Sequence, residues 1–479
     1  MDVPRLKRRI QRARPGEEEV LLDELVDGLA GLRADPPDPA TEYRVLWLLL
    51  PLARRLGQLA RFRGEIDRAV HLAGDRREER LALASLRADL EEQEGDLRKA
   101  EETLRASLAD AEGLDEAHQG VLLLKLARVL SRRDRGDQAR SLLEDVLPIL
   151  EGKGHASLAA RCRFQLGNLA LHEGRLEEAI VEHQRALAAR RELGEVRGVC
   201  ASTSALGAVS LAAGNYPQAL HWYRASEAEA QLADEEVELG WALLGLGRTL
   251  GRLGDFAGAA GKLRTAVGIR RRGADEEGRA AARLALAEAE LQLGRTQQAF
   301  EGAQEALFHL SLIGRPSARG DAEQLLGRVH LVRRREREAR QRFEAALALH
   351  ADDGDEAAVA FDRSWLLKLA LAWPLAEEIE PLLDAIAGYL GSGRYPELGE
   401  RLDLGVWQAL EALARLGVEG DRVRTRDRFL ARAYRTLMRK ASYLEAAERH
   451  AFLFRVPDND AIVRAATAAG LTEEKIASG

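Results

Sequence analysis

Gly167, Gly207, Gly247 and Gly327 stand at multiples of 40 residues, and Ala287 fills the missing mark. A second series keeps the same step through Ala139, Ala179, Ala219, Ala259, Ala299 and Ala339. A third runs Ala186, Ser226, Ala266, Ala306 and Ala346. Such periodicity means that each unit buries its apolar face only against its neighbours. A chain of 479 residues ordinarily implies about three domains, but a repeat array of that length forms one stacked core.

One unit shows how the marks work. Leu166, Gly167 and Leu171 lie on one helix, and His172-Glu173-Gly174-Arg175 forms a turn. Gly174 sits where a helix end calls for a left-handed residue. Ala179, His183 and Ala186 lie on the second helix, and the next copies follow in phase through Tyr216, Tyr223 and Phe256. Small residues at the Gly and Ala marks bring two antiparallel helices close. Large ones such as Tyr216, Tyr223, Phe256 and Phe343 fill the space to the next pair. Aromatics at 5% and the spacing of glycine fit packed helices rather than strands.

These residues resemble the tetratricopeptide repeat, TPR, with its L-G pair, second-helix Ala and following aromatic. The resemblance covers Gly120 to His350, with looser copies upstream at Gly95, Leu97, Ala100 and Leu104 and at Leu56, Gly57, Gly64, Ile66 and Ala69. The 40-residue step places it with the long-helix subgroup, alongside kinesin light chains, Rap-type regulators and bacterial signalling arrays. The resemblance implies an all-α fold: an α-solenoid, a right-handed superhelix of antiparallel helix pairs with helical caps. Residues 1–75 are expected to be an N-terminal cap with a degenerate repeat, 76–352 the array, and 353–479 a C-terminal helical region. In that region the phase weakens, with helices expected near 375–390, 395–416, 419–440 and 443–455 and a new N-cap at Val456-Pro457-Asp458.

Members of this subgroup bind peptides, proteins or small ligands along the concave face, and none uses the repeats for catalysis. The residue just past each Gly mark is expected to face inward: Arg128, Asn168, Arg248, Glu288 and Arg328. One turn on are Arg132, His172 and Arg252, and one turn back are Phe164, Ser204, Leu244 and Gln324. Arg161 and Trp241 begin their helices on the same side. The expected groove is rich in Arg with apolar patches, suited to an acidic peptide or protein segment. The alternative is that these Arg are solvated and pair with Glu on adjacent helices. Phe164, Ala205 and Trp241 take positions that the family's chaperone-tail clamp fills with polar or basic residues.

Chemistry is otherwise sparse. Gly258 to Leu263 lacks the first Gly and the Ser or Thr of a phosphate loop. No HExxH occurs, the ten His are scattered, and Asp352 to Glu356 lacks calcium-loop spacing. No cofactor, metal or catalytic residue is expected. Two cysteines, Cys162 and Cys200, make no disulfide framework, so the expected location is cytoplasmic. The longest apolar run, Val45 to Leu52, is too short for a bilayer. The net charge of −7 favours neither nucleic acid nor membrane. A basic stretch from Arg5 to Arg14 leaves a nucleic-acid-associated regulator as a further alternative, beside a ligand-sensing module of a signalling or transcriptional regulator. Self-association through an unpaired end of the array is also open.

Overall fold

The computed structural model describes residues 2–13, 17–33, 38–56, 58–111, 113, 116–133, 135–270, 276–312, 316–372, 376–392 and 396–471. Among them every regular element is a helix. The connector at 34–37, Arg271 and Arg272, Pro374, and Gly393-Arg394 lie outside the described residues.

The helices are α1 (Val3–Arg12), α2 (Glu17–Leu32), α3 (Pro39–Arg55), α4 (Arg63–Ala73), α5 (Arg77–Gln93), α6 (Leu97–Asp110), α7 (Glu116–Arg132) and α8 (Gly136–Gly152). The regular pairs continue with α9 (Ala156–His172), α10 (Leu176–Glu192), α11 (Val196–Ala212), α12 (Tyr216–Leu232), α13 (Glu236–Arg252) and α14 (Phe256–Arg270). Then come α15 (Glu276–Gln292), α16 (Thr296–Leu312), α17 (Pro316–Val332), α18 (Glu336–Asp352), α19 (Glu356–Ala370) and α20 (Ala376–Gly391). The C-terminal helices are α21 (Gly399–Arg415), the single turn α22 (Asp421–Arg424), α23 (Asp427–Ala441), α24 (Ala446–Phe454) and α25 (Pro457–Ala468). The segment expected as one helix over 419–440 is thus broken at Thr425 and Arg426. Asp458 does not cap α25, because Val456 holds the N-cap position and Asp458 turns to Lys368 instead.

Contacts divide the chain into two compact units, and the boundary falls inside the repeats. The first unit is residues 1–169 with 188–193. The second is 170–187, 194–270 and the chain from 276 onward. In the first, Leu6 of α1 packs with Leu21, Leu22, Leu25 and Leu29 of α2 and Val45, Leu46 and Leu49 of α3. Gly74, at φ +56°, ends α4 after 11 residues.

In the second unit the marks are packing sites. A Cβ at Gly207 would lie 2.9 Å from the Tyr223 ring, and one at Gly327 would lie 2.6 Å from Phe343. The glycine mark therefore admits a large side chain from the partner helix of its own pair, and Tyr223 also reaches the next pair at Gly245. First helices of successive pairs also touch: α11 with α13, α13 with α15, and α15 with α17. That contact lays a row of inner positions side by side at the 40-residue step. The C-terminal helices pack back on this unit. Leu437, Ala441, Phe452 and Ile462 share a core with Tyr216, Tyr223, Leu246 and Leu253. The Tyr216 and Phe452 rings lie 5.6 Å apart, and each fully buried large apolar side chain of such a seam contributes about 1.5–3 kcal/mol.

The intra-pair turns carry their own ruler. Gly174, Gly214, Gly254 and Gly294 have φ of 74°, 72°, 81° and 75°, and the next mark is Arg334 at 57°. A Cβ in that left-handed region costs about 1–2 kcal/mol. Arg334→Gly is therefore expected to raise stability by about 1 kcal/mol, read as a melting temperature higher by roughly 2–4 °C. An unchanged or lowered melting temperature would show that the turn tolerates the side chain without strain.

Candidate functional site

The row one residue past the marks is the most orderly feature of the second unit. Arg248 on α13, Glu288 on α15, Arg328 on α17 and Lys368 on α19 follow at the same 40-residue step. All four line one cavity of about 570 Å³. Its opposite wall comes from Pro396 to Arg401 and Val456 to Asp458. Arg252 reaches across this space to Glu397 at 2.9 Å. Arg328 pairs with Glu288 at 3.0 Å, and Lys368 with Asp458 at 3.1 Å. Arg401 approaches the same Asp458 at 3.5 Å.

The electrostatics follow from this crowding. Burial, the largest influence on Glu288, pushes its carboxyl up, but the charges of Arg328 and Arg252 overcome it and hold the group at about 2. Asp458 is likewise held below its ordinary value, burial being outweighed by Lys368 and Arg401. Burial opposes the charge on Arg252, yet Glu397 and Glu288 raise its pKa. Trp365 orients two of the cations: Lys368 Nζ lies 4.1 Å from its ring centre and the Arg328 guanidinium 5.3 Å. Phe343 stacks on the same indole at 5.7 Å. Arg248 differs from its neighbours. It is exposed to the cavity, and no carboxylate among the described residues pairs with it.

A family model described as "Tetratricopeptide repeat" matches residues 118–192. Over those residues the chain is similar to that repeat. The Rap conjugation gene regulator of plasmid pLS20, in complex with the Phr* peptide, has a similar fold, with TM-score 0.50 and 15% identity over 76% of this chain and 98% of that one. The apo quorum sensor NprR from B. thuringiensis gives 0.48 and 13% over 76% and 99%. BtubC from P. vanneervenii gives 0.37 and 24% over 47% and 91%. No curated protein matches the chain in sequence.

Among the expected groove residues of the TPR array, Arg248, Arg252, Glu288, Gln324 and Arg328 come together on the one cavity. Gln324 also donates to Asp362 at 2.7 Å. Leu244 does not face the groove: it is 2% exposed and packs in a core with Ala259, Leu263 and Ala282. At Leu244, one turn back from the row, the surface is taken up by core packing, whereas Gln324 at the equivalent position on α17 lines the cavity. Ser204 shares a 2.8 Å hydrogen bond with Ser226. Trp241 is 36% exposed, and His172 lies on the surface.

In the first unit the expected arginines meet carboxylates of the preceding repeat. Arg128 pairs with Glu92 at 2.6 Å and Asp89 at 3.1 Å, and Arg132 with Glu92 at 2.6 Å. Asp89 also binds the buried Lys125 at 2.8 Å. Phe164 lies under the Arg190 guanidinium at 4.7 Å, Arg161 is half-buried and Asn168 exposed. The alternative of pairing between adjacent helices therefore describes Arg128, Arg132 and Arg328, while Arg248 escapes it. On α1, Arg5, Lys7, Arg8 and Arg9 are exposed, and Arg9 pairs with Glu24 at 2.7 Å.

Sequence reasoning missed Lys368, Trp365, Glu397, Arg401 and Asp458. Lys368 had a signal: it lies 40 residues past Arg328, behind a mark at which Leu367 replaces glycine. Glu397, Arg401 and Asp458 follow no period. Among the described residues, no helix is long and apolar enough to cross a membrane, and no group of three or more His, Cys, Asp or Glu is placed to hold a metal ion.

Proposed function

We propose that the chain is a non-enzymatic binding module that captures a short acidic peptide in the cavity of its second unit. The observation that carries this reading is Arg248, an unpaired guanidinium on an enclosed wall built from four successive inner helices. An unpaired guanidinium facing a cavity is a ready partner for a carboxylate, bidentate and charge-assisted. A volume of about 570 Å³ lies in the range of sites that take small ligands, which favours a short occupant over a long segment. The pLS20 regulator, of similar fold, binds a peptide, and that supports peptide capture as a use of this architecture.

Arg248→Ala is the direct test, since no protein partner is lost with it. A charge-assisted hydrogen bond is worth about 1.5–3 kcal/mol, so affinity for an acidic peptide selected from a short-peptide library is expected to fall roughly 10- to 100-fold. Fluorescence anisotropy on labelled peptide measures it, with an unchanged melting temperature as control. Equal affinity in the variant would remove Arg248 from the site.

A further inference from the structure

The cavity has two electrically different ends. At one, the cations Arg248, Arg252, Arg328, Lys368 and Arg401 face only three carboxylates, Glu288, Glu397 and Asp458. Arg401 Nε is buried there without a hydrogen-bond acceptor. At the other end stand two carboxylates that no Lys or Arg answers among the described residues. Asp321 is 59% exposed, with only His350 Nε2 near it at 3.6 Å. Asp355 accepts from the Ala358 amide at 2.9 Å and lines the same space.

Asp321 precedes Arg328 by seven residues on α17, which sets the acidic end about 10 Å along the axis from the level of the cationic row. The wall between is apolar, with Leu284, Leu325 and Phe361.

Building on the peptide-binding reading above, we infer that the occupant is a short peptide with both ends free. Its C-terminal carboxylate meets Arg248 and Arg401, its amino terminus meets Asp321 and Asp355, and its central side chains lie on the apolar wall. A cavity arranged in this way selects a processed peptide over an internal segment of a folded protein. The two classes differ in the groups that the ends recognise, because an internal segment offers neither a free carboxylate nor a free amine.

The experiment uses the full chain and a randomised tetrapeptide pool in four forms: free, N-acetylated, C-amidated and doubly blocked. Equilibrium dialysis with mass-spectrometric readout gives retention. The free pool is expected to be retained, with at least a tenfold loss on blocking either end. In Arg248→Ala the penalty for amidation is expected to vanish while that for acetylation persists. In Asp321→Asn/Asp355→Asn the reverse is expected. Equal retention of free and blocked pools, both weakened by Arg248→Ala, would overturn recognition of the ends and leave peptide binding standing. Retention of no pool would overturn both.

Discussion

Asp362→Ala is expected to destabilise the second unit by about 3–5 kcal/mol, the cost of removing one partner from a buried ion pair. His350 and Asp362 are both fully buried, with Nδ1 and Oδ2 2.6 Å apart. The pair ties α18 to α19, and His350 Nε2 lies 3.0 Å from the Ser317 carbonyl at the start of α17. Three consecutive helices thus depend on one imidazole. Burial, the largest influence, disfavours its charge, but the neighbouring carboxylates of Asp321 and Asp362 more than offset this and raise its pKa to about 10. A folded-state value raised above the unfolded one stabilises fully below the unfolded value, near 6.5, and the contribution is lost as pH rises through about 10. The melting temperature of the second unit is therefore expected to fall from pH 6.5 to 10, and this slope should be absent in His350→Phe. The first unit carries the opposite tendency. Burial lowers Lys125 from 10.5 to about 8 despite Asp89, so its contribution grows as pH rises across that interval. A wild-type second unit whose stability is flat over this range would mean that His350 is neutral.

Lys440→Ala is the second large effect, also about 3–5 kcal/mol. Lys440 Nζ lies 2.8 Å from Glu400, with the two side chains 2% and 1% exposed, and it also donates to the Glu397 carbonyl. Its methylenes pack on the turn at Gly214. Loss of the ammonium strands the Glu400 carboxylate and loosens α21 and α23 from the array. Faster proteolysis between α21 and α23 is the expected sign, together with weaker peptide binding through the displaced Glu397 and Arg401. The double variant Lys440→Met/Glu400→Leu should recover most of the loss, because an apolar pair of similar volume replaces a buried ion pair at little cost. If the double variant is as unstable as the single, the contact matters for packing and not for charge.

The repeats were legible because packing at small residues leaves a mark at every unit. Gly207 and Gly327 announce the rings of Tyr223 and Phe343, and the phase then places Arg248, Glu288 and Arg328 on one face. The same phase misjudged Leu244 and Ser204, which are taken up by core packing and by Ser226, although Gln324, at the same phase on α17, does line the cavity. Lys368 was hidden by Leu367, which fills the glycine mark and conceals a repeat that structurally continues. Glu397, Arg401 and Asp458 could not be read from one sequence. They come from helices whose spacing obeys no period, and only the folded chain brings them opposite α13 and α17. The arginines at 128 and 248 look alike in sequence. What separates them is the preceding inner helix, which supplies Asp89 and Glu92 to the first and nothing comparable to the second.

The bridge from Arg252 to Glu397 spans 145 residues of chain. An open stack of repeats can gain or lose a unit with little consequence, because each copy sees only its neighbours. Between Arg252 and Glu397 that freedom is gone. One added repeat would carry α21 a full step along the array and separate the two side chains, so the copy number of this stretch acts as a gauge for the cavity. Lineage-to-lineage variation in repeat number would then be confined to the stretch before α11, and grafted or shuffled repeats would be tolerated there first.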